Sequence, residues 1–114
     1  MEEEVIIDDK DYKAIVKAYT DKKGKLSYEL LNKDLIQFAH RSKTVKELIA
    51  DRKSVKTVRN YLIAVKFRNI TGNNDLDEKL AVKMAELLDE AYPKGVFKEL
   101  NDELRKAAAV AKKT

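Results

Sequence analysis

The chain has 114 residues, 44% hydrophobic and 39% charged, with a net charge of +4, one His and no Cys. That length suits one domain around a single core, and the apolar content is too high for a disordered chain. Lack of Cys removes disulfides, thiolate metal sites and thiol nucleophiles. The acidic start is no signal peptide and no run of about 18 apolar residues occurs, so the expectation is a cytoplasmic protein with no membrane partner.

Only three Gly and one Pro interrupt a chain rich in Ala, Leu, Lys and Glu, a mix that loses little side-chain entropy in helices. Residues 1–9 carry five acids and no base, residues 10–71 sixteen bases against six acids, and residues 72–114 eight against nine. The expected organisation is an acidic N-terminal tail (1–9), one helical domain (10–110) and a basic C-terminal tail (111–114).

In chain order, "VII" at residues 5–7 is a short strand or a latch on the core. Tyr12, Ile15, Val16 and Tyr19 then share one helical face, and "TDKKGK" ends that helix with Gly24 open to a left-handed C-terminal position. Ser27 suits the N-cap of a second helix of about four turns, with Leu31, Leu35, Phe38 and Ala39 inward. Thr44 and Glu47 form a T-x-x-E capping box for a third helix whose inner face is Val45, Leu48 and Ile49. Ser54 caps a fourth, with Val55, Val58 and Leu62 stacked.

Beyond it Ile63, Val65 and Phe67 alternate with Ala64, Lys66 and Arg68, so residues 64–70 read as continued helix or as a strand. "TGNN" at residues 71–74 is a loop. Asp75, with Glu78 three residues on, caps a helix striped by Leu80, Met84, Leu87, Leu88 and Ala91, and Pro93 stops it. The last helix carries Phe97, Leu100, Leu104 and Ala108 inward, and Lys98–Asp102 and Asp102–Lys106 as i,i+4 pairs. The fold class is therefore mainly α, a compact bundle of five or six helices containing a helix-turn-helix-like pair. A strand at residues 64–70 would add a minor two-stranded element, as in a winged variant.

Catalytic chemistry finds no support in the residue types. His40 has no ligating neighbours, the three glycines are isolated and form no phosphate loop, and no nucleophile elbow or calcium loop is present. The reading is non-enzymatic, with no cofactor, no metal and no catalytic residue.

The basic run "KTVKELIADRKSVKTVRNYL" is the one functional signal, because residues 41–68 hold nine bases against two acids. Such local charge is the footprint of a phosphate-binding surface. A short helix (44–50), a turn (51–53) and a second helix (54–62 or beyond) resemble the generic helix-turn-helix proteins over about 20 residues. Where that family has an apolar, Gly-containing turn, this chain has Asp51, Arg52 and Lys53.

The resemblance implies a second helix in the major groove of double-stranded DNA. Ser54, Lys56, Thr57, Arg59 and Asn60 would then face outward, Arg59 suited to guanine, Asn60 to adenine, and Lys56 and Thr57 to phosphate, while Lys46, Arg52 and Lys53 flank the groove on phosphates and Lys43 completes the DNA-binding set. A homodimer reading two half-sites fits that class, as does a transcriptional regulator or a plasmid or phage accessory factor. The competing expectation is a helical protein–protein module, a small subunit or inhibitor of a nucleoprotein complex, whose basic face meets RNA or an acidic protein.

Overall fold

In the computed structural model, residues 9–90 and 95–112 are described, and they form six helices with no strand among them. These are α1 (Asp9–Ala18), α2 (Tyr28–Arg41), α3 (Lys43–Ala50), α4 (Val55–Thr71), α5 (Glu78–Glu90) and α6 (Lys98–Lys112). The mainly α bundle is as expected. Residues 5–7 and Pro93 lie outside the described residues.

The alternation around Ile63 is helical, because α4 runs unbroken to Thr71. The winged variant is thereby excluded for residues 64–70. Physically, α4 is the central helix and packs against each of the other five. Val58, Leu62, Ile63, Ala64 and Phe67 are all buried, and at about 100° per residue they cover more than one face. A helix enclosed on several sides loses the one-sided stripe, so its apolar run imitates a strand.

Helix starts follow one rule with two unexpected players. Ser27 and Ser54 cap as expected, accepting from the amides of Leu30 and Thr57. The Thr44–Glu47 capping box does not form: Ser42 caps α3 by accepting from the Val45 amide at 3.1 Å. Ser42 also ends α2, so a single extended residue joins the two helices, leaving Thr44 in the first turn of α3. Likewise Asp77, not Asp75, accepts from the Leu80 amide at 2.8 Å to start α5, while Asp75 sits in the preceding turn.

α6 has no capping side chain of its own, since Phe97 precedes it. Its cap comes from Asn32 on α2, only 3% exposed, whose Oδ1 accepts from the Leu100 amide at 3.0 Å. Asn32 Nδ2 donates to the Val96 carbonyl at 2.6 Å and to the Tyr28 carbonyl at 2.7 Å. One buried amide thus fixes the start of α6 to α2.

Two further polar links hold the bundle. Tyr19 donates to Asp34 Oδ2 at 2.7 Å, and Lys66 meets the same oxygen at 3.3 Å, tying the end of α1 to α2 and α4. Burial first, and then the bond to the Asp34 carboxylate, pushes the Tyr19 phenol well above its ordinary range. Asn73, in the loop after α4, donates to the buried Asp11 at 2.9 Å. Gly72 ends α4 with φ 70°. Gly24 is left-handed as well, but in the turn between Thr20 and Leu26, beyond the end of α1. On α6 the ion pairs are i,i+3, Arg105–Asp102 and Lys106–Glu103, in place of the expected i,i+4 set.

Candidate nucleic-acid interface

The α3–turn–α4 unit is built as a compact bihelical corner. Asp51 closes α3 by donating its amide to Glu47, and Arg52 and Lys53 donate to Ile49 and Leu48 at 3.0 Å each. The pairing of the last two amides with the carbonyls three and five residues back is a Schellman closure. Its left-handed position is held by Arg52, with φ 60°, the one non-glycine residue with positive φ among those described. Glycine is favoured there because a Cβ crowds the backbone. Here the position is taken by an exposed cation.

Lys43, Lys46, Arg52, Lys53, Ser54, Lys56 and Thr57 are all exposed, and so is Arg41. Among the described residues none of the cations in this set is in an ion pair. The first turns of both α3 and α4 are free of acids, so each helix dipole presents its positive end beside uncompensated Lys side chains. Ser54 and Thr57 hydroxyls meet each other at 2.9 Å, which orders the first turn of α4. Glu47 and Asp51 are the acids between residues 41 and 68, and both are exposed.

Not all of the predicted readers share that surface. Arg59 and Asn60 are half-buried and bonded to each other, with Arg59 Nε and one Nη donating to Asn60 Oδ1 at 3.3 and 3.1 Å. Both line a groove between α4, α5 and the start of α6. From Val58 to Arg68 every residue of α4 is buried or half-buried, because α5 and α6 lie along it. Apart from Asn69 near its C-terminal end, the open part of α4 is therefore its first turn. Arg52, Lys53 and Ser54 also border a recess of about 180 Å³ against Ala108 and Ala111 near the end of α6.

Lys98, Asn101 and Arg105 stand with Arg59 and Asn60 around the α4–α5–α6 groove, and no motif in the sequence marks these three. They lie 38 or more positions from Asn60, so only the packing of α6 on α4 reveals the grouping. Among the described residues no group of three or more His, Asp or Glu is placed to hold a metal ion, and no helix is long and apolar enough to cross a membrane. Comparison with known proteins finds no matching family model, no matching curated protein and no matching solved structure.

Proposed function

We propose that this chain is a non-enzymatic, double-stranded-DNA-binding protein that holds the phosphate backbone with the α3–α4 corner. The observation that carries the reading is the exposed set Lys43, Lys46, Arg52, Lys53 and Lys56, without ion pairs among the described residues and bracketing two acid-free helix starts. Phosphates favour such a surface because cations displace condensed counterions from DNA and helix N-termini donate amides to the oxygens. Ser54 and Thr57 are the side chains on the open first turn of α4 that can approach base edges. Arg59 and Asn60 contribute less, since they are engaged in the α4–α5–α6 groove. A cytoplasmic location fits the Cys-free composition, and a homodimer would place two such corners on one duplex.

The second reading, an interaction module for RNA or an acidic protein, draws on the same enclosure of α4 beyond its first turn, which shortens any base-reading face. Fluorescence anisotropy on a random duplex over a range of salt, with an RNA of the same length and an acidic polypeptide as competitors, separates the two, since a DNA-binding corner prefers the duplex to both. If all five cations meet phosphates, the slope of log K against log salt is about −4 to −5, and each Lys→Gln change reduces it by about one. Arg52→Gly removes one charge while relieving the left-handed backbone, so weaker binding by a variant at least as stable as the parent assigns the effect to the phosphate interaction and not to folding. Arg59→Ala and Asn60→Ala leave the duplex affinity close to that of the parent. No binding to duplex at low salt would refute the proposal.

A further inference from the structure

The groove between α4, α5 and α6 is separate from the basic corner and has a volume of about 390 Å³. Its floor is apolar, formed by Ile63, Ala85 and Phe97, all buried. Over that floor stand Arg59, Lys98 and Arg105 against a single described acid, Glu86. Glu86 already faces Lys83 at 3.6 Å. Arg105 meets Asp102 at 3.0 Å on the exposed side of its own helix. Arg59 meets no carboxylate among the described residues: its hydrogen bonds go to the neutral Asn60 amide, and its charge is left uncompensated in a half-buried position.

A second irregularity lies beside it. Among the described residues Asn101 Oδ1 is buried and has no hydrogen-bond partner, a state that costs free energy and is rare enough to require a reason. An orphaned acceptor on a wall residue, a guanidinium without a carboxylate partner among the described residues and an apolar floor at one concave surface are the attributes of a preformed small-molecule site.

We propose that this groove binds a small organic anion. A carboxylate or phosphate would pair with Arg59, with Arg105 and Lys98 adding positive potential. An N–H or O–H on the ligand would donate to Asn101 Oδ1 once that amide, buried in this structure, turns toward the groove, and a flat apolar body would cover Ile63, Ala85 and Phe97. Guanidinium is suited to either anion because its planar fork matches two oxygens at once.

Amide NMR titration of the whole protein with indoleacetate tests this, since that probe unites carboxylate, flat body and N–H donor. Naphthylacetate lacks the donor, tryptamine exchanges the anion for a cation, and adenosine monophosphate offers phosphate in place of carboxylate. The expected result is saturable shifts at the Ile63, Ala85 and Asn101 amides, at the millimolar concentrations usual for fragments of this size. Naphthylacetate binds about fivefold more weakly, for want of one hydrogen bond, and tryptamine does not bind.

Arg59→Gln, with its melting temperature measured alongside to verify folding, weakens indoleacetate by about tenfold or more. Binding by the monophosphate alone assigns the anion as phosphate and supports the site. The proposal is overturned if neither anion gives saturable shifts there, if tryptamine binds as well as indoleacetate, or if Arg59→Gln binds as tightly as the parent. None of these outcomes depends on DNA binding by the α3–α4 corner.

Discussion

Asn32→Leu removes the cap that α2 lends to α6 while keeping side-chain size roughly similar. Asn32 makes three hydrogen bonds, at 2.6, 2.7 and 3.0 Å. The Tyr28 carbonyl is the least affected, because it is the i−4 acceptor within α2. The substitution strands the buried Leu100 amide and removes the bond that Asn32 gives to the buried Val96 carbonyl. At about 1–3 kcal/mol for the unsatisfied amide and about 1 kcal/mol for the bond lost at Val96, with the added apolar contact of Leu recovering about 1 kcal/mol, the net loss is about 2 kcal/mol. Domains of this kind are stable by only about 5–15 kcal/mol, so the loss is a large share.

Urea denaturation measures it directly. With a slope of about 2 kcal/mol per molar for a domain of this size, the midpoint falls by about 1 M. Hydrogen exchange then locates it: the amides at the start of α6 lose protection before those of α4. A midpoint shift below about 0.3 M, with the slope unchanged, would refute the reasoning, because it would mean that solvent or a rearranged backbone serves Leu100 and Val96 as well as Asn32 does.

Ser42→Ala and Thr44→Ala discriminate the observed start of α3 from the one its capping box suggests. Loss of the Ser42 cap costs about 1 kcal/mol, whereas the exposed Thr44 in the first turn changes stability by less than about 0.5 kcal/mol; thermal melts of both variants check the order. Tyr19 supplies a pH dependence. Its phenol is held above its ordinary value in the folded state, so the folded protein keeps a proton that the unfolded chain releases near pH 10. The stability Tyr19 contributes is present below about pH 10 and is lost as pH rises beyond it. Tyr19→Phe lowers stability at neutral pH by about 1 kcal/mol, and the difference between variant and parent shrinks above about pH 10, as urea midpoints across the alkaline range would record.

Local physics made much of this chain legible from its residues alone. The apolar stripes Tyr12–Tyr19, Leu31–Leu35 and Leu100–Leu104 appear as expected, because one-sided burial imposes a period near 3.6 on any helix at a core's edge. Ser27 and Ser54 cap where they stand, since a short hydroxyl side chain needs only its own helix to find a partner. Where two candidates stood within a few residues, as at Ser42 and Thr44 or at Asp75 and Asp77, residue type could not choose between them. The path of the incoming chain chose.

Asn32 shows the limit most clearly. In angular position it falls between Leu35 and Ile36, and a polar residue beside an inward stripe needs partners, a local signal that the stripe Leu31, Leu35, Phe38 and Ala39 does not include. Two of those partners lie 64 and 68 residues away.

The sequence by itself determined a single α-helical bundle, most of its inward faces, two of its caps and the concentration of charge between residues 41 and 68. All of these arise from neighbours within a few positions and from composition. The tertiary structure decided the rest. It made α4 the enclosed centre of the bundle, turned Arg59 and Asn60 from an open helix face into a groove, gave α6 a cap from α2, and brought Asn101 and Arg105 to the same groove. Each of these depends on which helix lies against which, and that is set by the joint burial of apolar surface over the whole chain, a quantity no local window contains.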